Sequence, residues 1–201
     1  MVTVELLGLS IVLADDVYEP AEDSLLLAEH VDAKPRERVL DIGTGTGLAA
    51  LVAARGGGRV VATDIHPVAG RLAHANARLN GLAVDVVLTD LARGVQGPFD
   101  LVLCNPPYLP TVAEDRVAGA LDRALSGGAD GARVVRRVLS ALPGLLAKTR
   151  RSRALIVASS LQPVDDLRGR AAELGLAWNV VDVLSLSMEQ LYLVRVTREV
   201  S

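Results

Sequence analysis

Asn105-Pro106-Pro107-Tyr108 places an amide, two conformationally fixed carbonyls and a flat ring in four consecutive residues. Proline disfavours the helical region for the residue before it, so Asn105 and Pro106 are both pushed toward extended backbone. The Asn105 side-chain oxygen and the Pro106 carbonyl then form a rigid pair of acceptors. Such a pair can hold both hydrogens of a planar NH2 group and aim its nitrogen at an electrophile, with Tyr108 packed flat against the same group. A rigid proline loop without chemistry is the plainer alternative, because Pro-Pro marks loops in general.

An electrophile needs its own holder, and Asp41-Ile42-Gly43-Thr44-Gly45-Thr46-Gly47 has the pattern of one. Glycines let the chain turn sharply and let a ligand touch the main chain, and a helix beginning there presents free amides. A nucleotide-like ligand is implied. The dinucleotide pattern G-x-G-x-x-G would put its third glycine at position 48, which is Leu48, so the spacing disfavours NAD. Asp64, 21 residues after Gly43, is placed to accept hydrogen bonds from both hydroxyls of a ribose. The plainer alternative is a tight turn in which Asp64 caps the next helix.

Both loops must be carried to one edge of a sheet if they are to meet. Short β-branched apolar runs alternate with longer helical patterns, the signature of βα units around a mostly parallel sheet, so the fold class is α/β. Val2 to Leu13 reads as a hairpin, and Pro20 is expected to open a helix with Glu22 and Asp23 in its first turn, where acids suit the helix dipole. Arg38 to Asp41 reads as a buried strand and is followed by a helix to about Arg55; Val60 to Asp64 is a strand and Pro67 starts a helix. Further strands are expected at Val84 to Leu88, Phe99 to Cys104 and Ala154 to Ser159, with a helix from Ala132 to Lys148 between the last two. A helix from Val164 to Leu174 and two antiparallel strands, Trp178 to Leu184 and Leu191 to Val196, complete the chain.

Composition narrows the classes. The 201 residues are one domain's worth, half are hydrophobic and 22% are charged, as in soluble globular proteins. A net charge of -3 lacks the positive field of proteins that hold nucleic acid through phosphates, which disfavours nucleic acid as a partner. One cysteine and three scattered histidines offer no internal disulfide and no metal-ligand spacing, so no metal is expected. The N-terminus has no basic leader or cleavage site, and no apolar run approaches the roughly 18 residues of a membrane helix, so a cytoplasmic protein is expected.

Taken together, these motifs resemble class I methyltransferases that use S-adenosylmethionine (SAM), and within them the HemK/PrmC-type glutamine N5-methyltransferases. Asp41 to Gly47 is similar to the family's SAM motif, Asp64 to its ribose acid, Thr89-Asp90-Leu91 to the segment at the adenine and Asn105 to Tyr108 to its NPPY. Val17-Tyr18-Glu19-Pro20-Ala21-Glu22-Asp23-Ser24 resembles the VYEPAEDT segment of the short eukaryotic and archaeal branch that modifies class I release factors, with Ser24 where Thr is usual. Gly127-Gly128-Ala129-Asp130-Gly131 resembles that branch's GGxDG stretch.

The resemblance implies a Rossmann-like fold with a seven-stranded, mostly parallel sheet, the last strand antiparallel and helices on both faces. It implies a single methyltransferase domain, residues 1–201, in which residues 1–34 form a hairpin and helix closing over the cofactor site. It implies SAM contacts at Tyr18, Pro20, Glu22, Ser24, Asp41, Gly43, Gly45, Gly47, Asp64, Ile65, Asp90, Leu91 and Asn105, with Asn105, Pro106, Pro107 and Tyr108 at the substrate and Asn105, Pro106 and Tyr108 catalytic. The implied substrate is the glutamine of the Gly-Gly-Gln motif of a class I release factor. The implied partner is a small zinc-binding activator subunit, added as a strand along the edge Ala83 to Leu88. Alternatives are an amino-adenine DNA or RNA methyltransferase, a protein-lysine methyltransferase and a non-catalytic SAM-binding regulatory subunit. Elsewhere, Cys104 reads as inert core, Asp130 as an N-cap, and Lys148, Arg150, Arg151 and Arg153 as a solvated basic turn.

Overall fold

The computed structural model describes residues 2–110 and 127–199. A hairpin of β1 (Thr3–Leu6) and β2 (Leu9–Val12) leads through an extended strap, residues 13–21, into α1 (Glu22–Glu29). Then follow β3 (Arg38–Ile42), α2 (Leu48–Arg55), β4 (Arg59–Asp64), α3 (Pro67–Leu79), β5 (Val84–Leu88) and β6 (Leu101–Cys104). The remainder holds α4 (Arg133–Leu145), β7 (Arg153–Ser159), α5 (Val164–Glu173), β8 (Leu176–Ser185) and β9 (Gln190–Arg198). Seven strands form one sheet in the order β5-β4-β3-β6-β7-β9-β8. Strands β3 to β7 are mutually parallel, and β9 runs antiparallel to both of its neighbours, as expected from the sequence.

The central strands are buried on both faces, which is why they read as continuous apolar runs. On one face Val39, Leu101 and Leu103 pack with Leu26 and Leu27 of α1 and Leu51 of α2. On the other, Leu40, Ile42, Val102 and Cys104 pack with Val138, Leu139 and Leu142 of α4 and Leu167 of α5. Each such aliphatic side chain contributes about 1.5–3 kcal/mol by leaving water. Chain connections leave β3 for β4 on one side, while β6 lies on the other. The switch point of the sheet therefore falls between β3 and β6, where such folds bind ligands.

The two edges differ. On β8 the register shifts between Val180 and Asp182, and Asp182 meets the His30 ring at 3.2 Å, two features that discourage further strand pairing. On β5 the pairing with β4 is regular, and Val87 and Leu88 are exposed. Among the described residues no helix is long and apolar enough to cross a membrane.

Of the differences from the sequence reading, which include a helix α4 that ends at Leu145 and not Lys148, four have a direct physical cause. Pro20 lies in the strap and α1 begins at Glu22, because the first helical bond is from the Leu25 N–H to the Ala21 carbonyl. β6 begins at Leu101, because Phe99 uses its N–H on the Leu145 carbonyl and its carbonyl on the Ala147 N–H at the end of α4. Asp130 is two residues before the cap position: it accepts from the Ala132 N–H at 3.1 Å and pairs with Arg136 at 2.7 Å. Arg153 is no part of a solvated turn. It opens β7 with its side chain buried against Asp32 at 2.5 Å and Glu37 at 3.2 Å, tying the α1–β3 connection to the amino edge of the sheet.

Removing that guanidinium leaves the half-buried Glu37 carboxylate uncompensated. Arg153→Ala is expected to cost about 3 kcal/mol of unfolding free energy in urea, against less than about 0.5 kcal/mol for Arg151→Ala. Equal effects would contradict a buried ion pair at Arg153.

Candidate functional site

Parallel pairing sets Asp41 beside Leu103 and Ile42 beside Cys104, so β3 and β6 end side by side and release their loops into one cleft. From β3 the glycine loop climbs into α2. Gly43, Gly45 and Gly47 have φ of 73°, 55° and 92°, a region in which a Cβ is strained. The Gly43 and Thr44 N–H groups donate to the Thr63 carbonyl at 2.9 Å each, and the Gly45 N–H donates to Asp64 Oδ2 at 3.0 Å. A Cβ on Gly43 or Gly45 would meet only open space, whereas one on Gly47 would meet Ala73 of α3 at 3.2 Å. The first two glycines keep the loop open to a ligand; the third lets α3 pack against it.

Asp64 Oδ1 accepts from the His66 N–H at 2.8 Å, so each of its oxygens takes one backbone donor and keeps lone-pair capacity. Asp64 lies two residues before the α3 cap position, His66, so it holds the approach to the helix and does not cap it. Asp41 is buried and accepts from Thr44 Oγ1 at 2.6 Å. Burial pushes its carboxyl up to about 6, against the Thr44 hydrogen bond and with help from the nearby Asp64 charge.

At the other wall, the Asn105 amide donates to Ser24 Oγ at 3.4 Å, and its Oδ1 is buried without a partner among the described residues. An orphaned buried acceptor is costly in a folded chain and points to an external donor. The Tyr108 hydroxyl donates to Asp23 Oδ2 at 3.2 Å, and the Tyr18 hydroxyl donates to the same carboxylate at 3.2 and 3.3 Å. Asp23 also accepts from the Ser24 N–H at 2.6 Å. Burial, then the Asp23 charge, holds both phenols well above their ordinary range, so they stay donors. The Gly127 to Gly131 stretch supports this wall from behind. A Cβ on Gly131 would collide with the Tyr108 carbonyl, and Gln162 Nε2 donates to the Gly131 carbonyl at 2.7 Å.

These walls enclose a cavity of about 600 Å³, within the range of small-molecule sites. Of the residues expected from the sequence, Tyr18, Pro20, Ser24, Asp41, Gly43, Gly45, Asp64, Ile65, Asp90, Leu91, Asn105, Pro106, Pro107 and Tyr108 line it. Glu22 and Gly47 do not: Glu22 is exposed on the first turn of α1, and Gly47 faces α3. Leu91 has φ of 55°, an uncommon conformation for a leucine, and its neighbour Asp90 accepts from Arg137 of α4 at 2.7 Å. That hydrogen bond holds the Asp90 carboxyl below its usual range. Burial pushes the Cys104 thiol up, which leaves it unreactive. Among the described residues no three His, Cys, Asp or Glu side chains group to hold a metal.

Asp23 is the residue that sequence reasoning missed. As one of two acids in a first turn it read as a partner of the helix dipole, yet it is 4% exposed while Glu22 faces solvent. Its partners lie up to 85 residues away, so no local pattern signals them.

The sequence matches the Methyltransferase small domain family over residues 12–125. It is 36% identical over 197 residues to a putative protein N5-glutamine methyltransferase of Methanocaldococcus jannaschii, covering 97% of this chain and 98% of that one. It is 44% identical over 121 residues to the release factor glutamine methyltransferase of Deinococcus radiodurans, 57% of this chain and 44% of that one. Among solved structures, the Mtq2–Trm112 complex of E. cuniculi, responsible for methylation of the termination factor eRF1, superposes with a TM-score of 0.70. The identity is 24%, covering 92% of this chain and 99% of that one.

Asp41 yields a pH test. Its folded value of about 6 lies above the ordinary carboxylate value, so the folded state holds the extra proton and stability is lost as pH rises through about 4 to 6. Asp41→Asn removes that cost. The variant is expected to be more stable than the parent by about 2 kcal/mol at pH 7 and by nearly nothing at pH 4, measured by urea denaturation. A loss of stability at both pH values would contradict a strained buried carboxylate.

Proposed function

The chain belongs to the Methyltransferase small domain family, and from that premise we propose that it transfers the methyl group of SAM to the side-chain amide nitrogen of the glutamine in the Gly-Gly-Gln motif of a class I release factor. The observation that carries this reading is the buried Asn105 Oδ1, without a partner among the described residues, on the wall facing the glycine loop. An amide NH2 has two hydrogens, one for this acceptor and one for the Pro106 carbonyl.

SAM supplies an electrophilic methyl group on a positively charged sulfur, which departs as a neutral thioether. The chain's own residues do the rest. With SAM bound, Asp64 would accept from the ribose hydroxyls with the lone pairs its backbone donors leave free, and Asp90 and Leu91 would hold the base. Asp41 would offer negative charge to the cationic cofactor. An amide nitrogen is a poor nucleophile because its lone pair is delocalised into the carbonyl. Asn105 and Pro106 hold both N–H groups, aim the nitrogen and stabilise the positive charge that develops on it as the new C–N bond forms. One N–H proton then leaves to solvent. Asp23 keeps Tyr18 and Tyr108 in place around this pocket.

The same proposal takes residues 1–201 as one catalytic unit, working in the cytoplasm, with residues 1–34 closing over the cofactor. It also takes a small zinc-binding activator subunit as partner on the edge Ala83 to Leu88. Support comes from the contrast between the regular, apolar edge of β5 and the bulged, charge-blocked edge of β8.

Mass spectrometry of the release factor after incubation with the protein and SAM tests substrate and reaction together. One added methyl on the Gly-Gly-Gln glutamine, gained faster with the activator present, is the expected outcome; no methyl despite cofactor binding would move the acceptor to a lysine or an adenine amine. Asn105→Ala is expected to lower transfer at least 100-fold while changing SAM affinity less than about threefold. Asp64→Ala is expected to weaken SAM about tenfold or more by calorimetry, and unchanged affinity would remove the ribose assignment.

A further inference from the structure

Asn76 stands on α3, outside every residue set assigned above, and its side chain is fully buried. Its amide makes three bonds to main chain. Nδ2 donates to the Thr46 carbonyl at 2.9 Å and to the Val12 carbonyl at 3.1 Å, and Oδ1 accepts from the Val12 N–H at 2.9 Å. One turn later Asn80 repeats the pattern on Ser10, accepting from its N–H at 2.9 Å and donating to its carbonyl at 2.8 Å. Helical residues four apart rise about 6 Å and strand residues two apart span about 6.7 Å. The two asparagines thus imitate a strand partner for β2 and dock the hairpin on α3.

Asn80 also donates to the Asn76 carbonyl of its own helix at 2.8 Å, and none of its side-chain bonds reaches the glycine loop. Asn76 also holds Thr46, which lies inside the glycine loop between Gly45 and Gly47. Beyond Val12 the chain enters the strap, where Val17 packs on Ala69 and Leu72 of the same helix and Tyr18 reaches Asp23 and so Tyr108. Asp16, Val17, Tyr18 and Pro20 of the strap line the same cavity as the glycine loop. A single buried amide therefore joins the loop on one wall of the cavity to the root of the strap on the other.

We propose that Asn76 is a positioning residue that couples the glycine loop to the strap, so that cofactor binding orders residues 13–21 and, through Tyr18 and Asp23, the substrate side of the pocket. The inference rests on the reading of the glycine loop as the SAM site and not on the identity of the methyl acceptor. Coupling of this kind is reciprocal: SAM stabilises the ordered strap by the factor by which the ordered strap strengthens SAM, so a variant whose strap cannot order loses that factor in affinity.

Hydrogen exchange of the full chain with and without SAM tests it, beginning with the wild-type protein, which needs no substitution. SAM is expected to slow exchange of the strap amides as well as those of the glycine loop. Protection confined to the loop would overturn the proposal, and a wild-type protein that does not bind SAM would overturn the cofactor reading as well. Asn76→Asp keeps the shape and the bond from the Val12 N–H but loses both donors. Its SAM affinity is expected to fall about tenfold, its strap to exchange freely even at saturating SAM, and its kcat to fall as well as its apparent affinity. Asn80→Ala is expected to speed exchange in the hairpin while leaving SAM affinity within about twofold and the strap still protected. Strap protection in Asn76→Asp equal to wild type at saturation would show that the loop and the strap are coupled by something else.

Discussion

The site depends on the register between β3 and β6. Pairing Asp41 with Leu103 and Ile42 with Cys104 ends two neighbouring parallel strands at one level. The glycine loop and the Asn105-Pro106-Pro107-Tyr108 loop then emerge a strand spacing apart, about 4.8 Å, and face each other across the switch point of the sheet. A slip of one residue would turn the apolar set of β6 to the opposite helix layer and carry Asn105 away from the cofactor loop. The two cores on either side of the sheet fix that register, because alternate residues of β3 and β6 are committed to different helices.

On this frame three carboxylates among the described residues are buried in three different ways. Asp64 is held by two backbone N–H groups and secures the loop it serves. Asp23 is surrounded by two phenols and the Ser24 N–H, so it organises side chains without a cationic partner among the described residues. Asp41 has the Thr44 hydroxyl, and burial lifts its proton affinity in consequence. The Asn105 oxygen, by contrast, has no partner among the described residues. A buried carboxylate on one side of the cavity and an unpaired acceptor on the other are costs to the folded protein that a cationic or hydrogen-bond-donating ligand would offset.

Helix α3 ties the periphery to this centre. It packs on Gly47, carries the strap residue Val17 on Ala69 and Leu72, and holds the hairpin through Asn76 and Asn80. The N-terminal segment is thereby built into the wall of the cavity, with Val17, Tyr18 and Pro20 among its lining residues.

The α/β alternation, all of the strand positions and the two loops that line the cavity were legible in the sequence, because each rests on a local restriction: period, a proline forbidding helix, a glycine permitting positive φ. Local restrictions also misled. Glu22 and Asp23 look alike in sequence, as do Arg151 and Arg153, and only packing makes one of each pair buried. Asp23 meets Tyr108 across 85 residues, Asn76 meets Val12 across 64 and Arg153 meets Asp32 across 121. The sequence by itself determined which backbone shapes the loops could take and what chemistry they offered. Only the tertiary structure decided which polar groups find partners and which stay bare, because desolvation is set by what the whole fold brings near and not by neighbours in the chain.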